Sequence, residues 1–372
     1  MKKRSRVFAI TVRWGLALLI LLLLFLAMSQ FDIRNLLHSI KQIPLWSVAL
    51  LLGLQIVSQL LLNLKWHKIA KVVLCEAPQD KCLAKTQTDQ QESLRNAPIS
   101  FRDMFYINSQ GAVIEGITPG VKIGGEVTRA VQIRRMGKCS AEQAASVVAM
   151  QKLFSLSTFF LINLFAVGHI IGKVPILDAW YVQFSIYSIL IFFLLLFAAV
   201  FFVPHRLQSY LQPYLQAKKN TRFSFLLKMK RFFITLLGQV ISIRKNSRVC
   251  VMLFLLSTLI WLIYPVKMYL LAIQVFPALN IVYIGAITFV SYMVGMIPIF
   301  PGGLGGFEGT MSGLFLAIGF EQSDAFVITI IFRFATFWFV MMISIIFIVF
   351  YKIKYPRAIN EKAAKKGIYS NE

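Results

Sequence analysis

Long apolar runs alternate with shorter polar stretches along the whole chain, and this pattern predicts an all-α polytopic membrane protein. A membrane-spanning helix needs about 20 mostly apolar residues to cross the hydrocarbon core. Runs that reach or approach this length lie near 12–29, 44–64, 144–172, 180–203, 249–275, 280–298 and 325–350. A shorter run at 309–320 belongs to a crossing segment only if its flanks contribute, so we expect about eight membrane helices.

One apolar segment, 104–132, is interrupted repeatedly by glycine and proline. The interruptions are Gly111, Gly116, Pro119, Gly120, Gly124 and Gly125. Proline removes a backbone donor and stops a helix, and glycine weakens one. Non-helical backbone at membrane depth must be buried in protein or line a cavity. The segment therefore predicts a re-entrant piece or two half-helices.

Three polar stretches separate or follow the apolar runs. Residues 76–100 have few large apolar side chains and predict a polar cytoplasmic insert without a core of its own. Residues 204–248 carry ten Lys/Arg and no acids, and 223–243 mixes apolar and basic residues as an interfacial amphipathic helix does. Residues 351–372 form a basic cytoplasmic tail, so we assign 1–350 to a single membrane domain.

The distribution of charge predicts the orientation of the spans. The formal net charge is +24, with 58% hydrophobic and 15% charged residues. The Lys/Arg excess lies in 1–13, 65–143, 204–248 and 351–372, whereas the remaining loops together hold three Lys/Arg and four acids. By the positive-inside rule both termini are cytoplasmic, in a cell inner (plasma) membrane. A cleaved signal peptide is the alternative for 12–29, although no small-residue cleavage site follows that run.

Two stretches of the chain share a Pro-Gly break, further glycines, and a glutamate seven residues after the proline. The first contains Pro119, Gly120, Gly124, Gly125 and Glu126, and the second contains Pro301, Gly302, Gly303, Gly305 and Glu308. A broken helix in lipid exposes carbonyls and amides that must be satisfied. Matched interruptions in two halves point to the binding site of a transporter. We therefore predict an internal repeat that forms a substrate site, with tight helix packing at the glycines as the alternative.

Few ionisable residues lie at membrane depth, where charge is costly and usually faces a cavity or a partner. They are Lys152, Lys267, Glu308 and Arg333, joined by Glu126 and Arg129 if the glycine-broken segment is re-entrant. Arg333 is the strongest candidate, because a guanidinium suits phosphate or carboxylate binding and Glu308 could pair with it. For the three basic residues of the spans, snorkelling to the interface is the alternative. Glu126 and Arg129 can pair with each other or contact a headgroup.

These features together resemble a known family. Pro119-Gly120 with Gly124-Gly125-Glu126 and Arg129, then Pro301-Gly302-Gly303-Leu304-Gly305 with Glu308, and finally Arg333 are similar to the flippase-like membrane domain of lysylphosphatidylglycerol synthetases. The likeness covers about residues 10–350, and the insert 76–100 is longer than the family pattern. The resemblance implies about eight helices with re-entrant pieces, and movement of lipid between leaflets. Fused members add a cytoplasmic lysyl-transfer domain, which we do not expect in the 22 residues after Phe350.

The leading hypothesis is a flippase that moves a phospholipid or a polyprenyl-phosphate-linked precursor. Its predicted substrate site consists of the residues of the two motifs with Arg129, Lys152 and Arg333. The alternatives are a membrane-embedded lipid-modifying enzyme, for which Glu308 is the one plausible base, and a non-catalytic partner of such an enzyme. We predict no catalytic residue, metal or cofactor. Expected partners are membrane lipids, with anionic headgroups at the basic loops and no nucleic acid; a homo-oligomer is one expectation for the assembly.

Overall fold

The computed structural model describes residues 33–75, 99–118, 123–171, 179–211, 224–276, 280–297, 303 and 305–355, and over these ranges it contains helices and no strands. The helices are α1 (Ile33–Gln42), α2 (Leu45–Cys75), α3 (Phe101–Ile117), α4 (Ile123–Gly137), α5 (Ala141–Ile170), α6 (Trp180–Phe202), α7 (Pro204–Leu211), α8 (Ser224–Lys245), α9 (Ser247–Val275), α10 (Ile281–Gly295), α11 (Gly306–Ala317), α12 (Gln322–Arg333) and α13 (Phe339–Lys354). A π-helical turn, Phe334–Trp338, joins the last two. The predicted all-α polytopic fold is confirmed.

Five helical stretches among the described residues are long and apolar enough to cross a membrane. They are α2, α5, α6, α9 and the continuous stretch Gln322–Lys354. The predicted span 12–29 and most of the insert 76–100 lie outside the described residues, as does the tail after Tyr355. The basic stretch 204–248 contains α7 and α8, and α8 agrees with the predicted amphipathic helix. Its position at the membrane interface stays a prediction.

Polar caps define where several of these helices begin. The Ser100 hydroxyl accepts a hydrogen bond at the start of α3, and Ser140 forms a capping box with Gln143 at the start of α5. The Asn280 side chain caps α10 in the same way. Such caps satisfy backbone amides that have no partner inside the helix. The helices α3, α5 and α10 therefore begin at defined residues.

The glycine-broken segment forms a helical hairpin, α3 and α4, that opens at the end of the bundle where α2 ends. We call this the Cys75 end. The rings of His67 in α2 and Phe101 in α3 are 6.0 Å apart, so α3 begins there. The second arm returns to the same end, where Gly137 lies against the last turn of α2. The prediction of a re-entrant piece is thus confirmed, and its tip at 119–122 lies outside the described residues.

A second hairpin, α10 and α11, opens at the opposite end of the bundle, which we call the Ile170 end. The rings of Phe276, after α9, and Phe320, before α12, stack at 5.2 Å, so both arms start and finish together. At the inside of the bundle, a Cβ on Gly295 at the end of α10 would lie 3.1 Å from Phe307 at the start of α11, so the two helices are in contact there. The two hairpins therefore enter the bundle from opposite sides.

This second hairpin corrects the sequence-based assignment of 280–298 as a span and of 309–320 as part of a crossing segment. The arms have 15 and 12 residues, or about 22 and 18 Å of helix, which is shorter than a hydrocarbon core of about 30 Å. The helix α10 ends at Gly295, and Gly303 beyond it adopts a left-handed backbone conformation with a φ of +74°, so the chain turns back in this region. A hairpin returns to its own side, so the predicted orientation of the last span is unchanged.

Two apolar clusters hold the bundle together, one at each end. The cluster at the Ile170 end joins the second hairpin to the adjoining halves of α2, α5, α9 and α12. The cluster at the Cys75 end joins the first hairpin to the other halves of α2, α5 and α9, with α8 and α13. Burial of apolar side chains in both clusters fixes each hairpin against the spans. Between the two clusters, residues of both hairpins face a common space.

Candidate functional site

Between the two apolar clusters lies a cavity of ≈ 220 Å³. We call it the ionic cavity, because its lining includes Glu115, Glu126, Arg129, Lys152 and Arg333. Neutral polar and aromatic side chains complete the wall, among them Gln59, Trp66, Gln151, Tyr264, Tyr292, Thr336 and Phe337. The first hairpin supplies the last turn of α3 and the first turns of α4. The second hairpin supplies Tyr292 and the partner of Arg333, so both hairpins contribute to one site.

The first hairpin contributes a compact ion-pair network. The Arg129 guanidinium lies 2.9 Å from Glu126 and 3.2 Å from Glu115, which is on the other arm of the hairpin. Glu126 also lies 2.7 Å from the Lys152 ammonium on α5. Charge at membrane depth needs such compensation. Arg129 therefore holds α3 against α4, and Glu126 connects the hairpin to a membrane span.

Small residues make room for Arg129 inside the hairpin. Arg129 is 8% exposed, and its guanidinium lies over the ring of Trp66 at 5.7 Å from the centroid. A Cβ on Gly111 would lie 2.5 Å from Arg129 Nε, so any other residue type would force the Arg129 side chain to move. A Cβ on Gly125 would lie 2.7 Å from the Gly111 carbonyl oxygen. The glycines of the first motif thus allow the two arms to enclose a charged side chain.

Arg333 is the centre of the second half of the site. Its Nε lies 2.9 Å from Glu308 Oε1, as an ion pair without hydrogen-bond alignment, so the predicted pairing is present. The guanidinium also lies 5.0 Å from the Phe307 ring centroid and 4.7 Å from that of Phe337. The other oxygen of Glu308 accepts a hydrogen bond from the Gly305 amide at 2.7 Å. One carboxylate therefore caps α11 and holds the arginine.

A π-helical turn follows Arg333 directly. Residues Phe334–Trp338 adopt this conformation within an otherwise α-helical span. Such turns insert one residue into a helix and occur frequently at functional sites. Arg333, Thr336 and Phe337 all line the ionic cavity. The widened turn thus presents the arginine and residues of the next turn to the same space.

The second motif turns with two glycines in the left-handed region of backbone conformation. Gly303 has a φ of +74° and Gly305 a φ of +84°. At Gly303 a Cβ would also lie 2.5 Å from the Gly295 carbonyl oxygen. Other residue types adopt such conformations rarely, since their Cβ clashes with the backbone. These glycines allow the chain to reverse and place Glu308 in the first turn of α11.

The structure brings together most of the charged residues that the sequence singled out. Glu126, Arg129, Lys152 and Arg333 line the ionic cavity, and Glu308 contacts it through Arg333. Snorkelling is wrong for Arg333, which is 7% exposed and paired inside the bundle. Lys267 is instead buried away from the lining, and its ammonium donates to Gln55 Oε1 at 2.6 Å. Pro119, Gly120, Pro301 and Gly302 lie outside the described residues.

Sequence reasoning missed Glu115 and the aromatic wall. Glu115 lies within the charged stretch 65–143, one helical turn before the break at Pro119. Assigning a re-entrant hairpin places each of its ionisable residues at membrane depth, so that assignment could have found it. Trp66, Tyr264 and Tyr292 carry no such signal, because aromatic residues are common in any span.

A smaller cavity of ≈ 20 Å³ adjoins the ionic cavity on the side of the Cys75 end. The two share Gln59, and the smaller one adds Asn63, Asn108 and Ser344 to its lining. The Asn108 amide donates to Asn63 Oδ1 at 2.8 Å. Polar side chains therefore continue from the ionic cavity toward the Cys75 end of the bundle.

Comparison with known proteins gives a consistent family. The family model described as lysylphosphatidylglycerol synthase TM region matches residues 12–344. A UPF0104 membrane protein of Methanothermobacter thermautotrophicus is 26% identical over 258 residues, which cover 66% of this chain and 74% of that protein. One of Methanocaldococcus jannaschii is 20% identical over 243 residues (64% and 71%), and one of Pyrococcus horikoshii is 23% identical over 241 residues (61% and 70%). No solved structure matches the chain. Because the family model spans most of the sequence, the chain is a multi-pass membrane protein that belongs to the lysylphosphatidylglycerol synthase TM-region family.

Proposed function

We propose that the protein moves a phosphate-bearing lipid between the two leaflets of the plasma membrane. The lipid headgroup occupies the ionic cavity while the acyl chains stay in the bilayer. One observation carries this proposal: two re-entrant hairpins that open at opposite ends of the bundle converge on a single charged cavity. Transporters commonly bind substrate between broken helices near the bilayer midplane.

The chemistry of the cavity supports a headgroup as its occupant. Arg333 and Arg129 can bind phosphate oxygens, because guanidinium groups are planar and remain charged. Two buried oxygens that line the cavity, Glu126 Oε2 and Gln151 Oε1, accept no hydrogen bond within the described part of the chain. Buried polar atoms normally have partners, so these oxygens suit a ligand with donor groups. A volume of ≈ 220 Å³ is smaller than a typical drug-sized pocket and suits a headgroup better than a whole lipid.

The opposed hairpins suggest how access alternates. Each hairpin separates the ionic cavity from one end of the bundle. The first is attached to a span by the Glu126–Lys152 pair, and the second by the Glu308–Arg333 pair. Small movements of either hairpin would open the cavity to one leaflet while the other hairpin stays closed. Rearrangement of one repeat against another around a fixed site is the usual basis of alternating access.

The remaining expectations belong to the same proposal. Both termini face the cytoplasm, and the basic stretch 204–248 contacts anionic headgroups there. The chain acts as a transporter without a cofactor and does not bind nucleic acid. A homo-oligomer is compatible with this function, since the cavity lies within one chain.

The test is transport in vesicles reconstituted with the purified full chain and headgroup-labelled phospholipid or polyprenyl-phosphate lipid. We expect the double variant Arg333→Ala with Glu308→Gln to lose most of the transport rate. The matched control is Arg34→Ala, which removes an exposed arginine of α1, outside both the ionic cavity and the basic stretches. Unchanged transport by the double variant would remove the proposed site, and no transport of any lipid by the wild type would contradict the class. A change in lipid mass would select the enzyme alternative instead.

A further inference from the structure

Two lysines are buried between the membrane spans α2 and α9, close to the ionic cavity but behind its wall. Lys65 on α2 is 1% exposed, and its ammonium donates to Ser257 Oγ on α9 at 3.3 Å. Lys267 on α9 is 0% exposed, and its ammonium donates to Gln55 Oε1 on α2 at 2.6 Å. Each lysine thus reaches across the same helix pair from opposite sides.

The two lysine contacts lie on either side of the ionic cavity along the axes of α2 and α9. Gln55 and Lys65 are ten residues apart on α2, and Ser257 and Lys267 are ten apart on α9. Ten helical residues correspond to about 15 Å along the helix axes. Gln59 and Leu62 of α2, which line the cavity, lie between Gln55 and Lys65 in sequence. Tyr264 also lines it, with its ring centroid 4.4 Å from the Lys267 ammonium.

The carboxylates around the cavity form ion pairs with cationic side chains other than the two buried lysines. Glu115 pairs with Arg129, and Glu126 pairs with both Arg129 and Lys152. On the other side of the cavity, Glu308 pairs with Arg333. With the two buried lysines, five cationic side chains therefore surround three carboxylates, an excess of two cations. In the part of the chain that the structure describes, neither buried lysine has a carboxylate within ion-pair distance.

We infer that this excess of positive charge makes the cavity select headgroups with a net negative charge, namely a phosphodiester that carries hydroxyl groups. The inference rests on the proposed function and specifies its substrate class. An anionic headgroup supplies the counter-charge that the wall lacks, whereas an amine-bearing headgroup adds a further cation at membrane depth. An anion in the cavity also favours the charged form of both buried lysines. The hydroxyls would donate to Glu126 Oε2 and Gln151 Oε1, which belong to lining residues and accept no hydrogen bond within the described part of the chain.

The experiment compares three labelled lipids with the same acyl chains in vesicles that contain the full chain. Phosphatidylglycerol is anionic, phosphatidylethanolamine is zwitterionic and lysylphosphatidylglycerol is cationic. We expect phosphatidylglycerol to move about tenfold faster than either of the others, a preference of the size that one charge contact gives. Lys267→Met and, separately, Lys65→Met should each lower the transport of phosphatidylglycerol and leave that of phosphatidylethanolamine nearly unchanged. Two variants are used so that a folding defect in one does not decide the outcome.

Lys352→Met is the matched control, because it removes an exposed lysine from the Cys75 end of α13. Retention of the same three lipids by the detergent-solubilised protein, measured by native mass spectrometry, reads the preference without transport. Equal retention of the three lipids, or faster transport of either amine-bearing lipid, would overturn the inference. Failure of the wild type to move any lipid, with phosphatidylglycerol still retained preferentially, would contradict the proposed function and leave the charge selectivity standing.

Discussion

The ion pair between Arg333 and Glu308 offers a quantitative test of how the second hairpin is held. The perturbation is a double-mutant cycle made of Arg333→Met, Glu308→Gln and the combination of the two. Glu308→Gln removes the charge but keeps a carbonyl oxygen that can still accept from the Gly305 amide. Arg333→Met removes the guanidinium and keeps an apolar side chain of similar length between Phe307 and Phe337. Neither change therefore disturbs the packing of the turn directly.

The magnitude follows from the burial of the pair. The two side chains are 9% and 14% exposed, so the contact is close to fully buried. Removing one partner of a buried pair costs about 3–5 kcal/mol, because it leaves the other charge without compensation. We expect each single variant near the lower end, at about 3 kcal/mol, because both groups keep some access to the cavity. Glu308→Ala should cost about 1 kcal/mol more, since it also removes the cap on Gly305.

The assay is reversible unfolding of the purified protein in mixed micelles as the mole fraction of a denaturing detergent rises. The cycle isolates the pairwise contribution, because losses from the aromatic contacts of Arg333 occur in both arms. We expect a coupling free energy of about 2 kcal/mol, above the average of about 0.6 kcal/mol measured for polar contacts between membrane helices. A coupling at or below that average would refute the reasoning, since it would mean that neither charge depends on the other.

Three further predictions follow from the geometry of the site. Gly111→Val should abolish most transport, because the new side chain would occupy the position of Arg129 Nε, 2.5 Å from the added Cβ; transport is measured in vesicles with a headgroup-labelled lipid. Gly303→Ala should lower the free energy of unfolding by at least about 1 kcal/mol, since its φ is +74° and the added Cβ meets a backbone oxygen at 2.5 Å; detergent unfolding measures it. Single cysteines at Trp180 and Lys354, in a chain otherwise free of cysteine, should differ toward an impermeant reagent added to intact cells: Trp180→Cys reacts from outside, and Lys354→Cys is protected in the cytoplasm.

The two glycine predictions have matched controls in the chain. Gly53→Ala and Gly309→Ala add a Cβ with no atom within 4 Å, so each should be close to neutral. Full transport by the Gly111 variant would mean that the position of Arg129 is not needed. Equal stability of the Gly303 and Gly309 variants would show that the turn is not strained by a side chain. Labelling of both cysteines in intact cells would contradict the orientation predicted from charge.

The first hairpin could be predicted from sequence because its breaks are dense. Glycine and proline recur within an apolar segment, and no continuous helix fits such a pattern. The second hairpin could not be predicted in full, since 280–298 is apolar over nearly the length of a span. Hydrophobicity reports that a segment is in the membrane and does not report where it turns. The stacking of Phe276 on Phe320, a contact between distant residues, decides that the chain turns back.

The charged residues of the site likewise include some that could be predicted from sequence and some that could not. Arg333 and Glu126 were identified because they interrupt apolar runs, where charge is costly. Lys65 was not identified, because a hydropathy boundary is drawn at the first charge and the run 44–64 therefore stops before it. In the structure α2 continues to Cys75 and buries Lys65 completely among neighbouring helices. The π-helical turn after Arg333 depends on tertiary packing and leaves no local signal.

The central claim is that opposed hairpins enclose a water-accessible cavity beside Arg333, within the membrane. The most direct measurement uses single cysteines at two positions of the same span, in a chain otherwise free of cysteine. Thr336→Cys lies in the wall of the ionic cavity, whereas Ile346→Cys lies on the outer surface of the same span, where Ile346 is 66% exposed. We predict that a small water-soluble thiol reagent modifies the cysteine at 336 and leaves the one at 346 unmodified. Equal inertness of the two cysteines would contradict the account, because it would show that water does not reach the residues around Arg333.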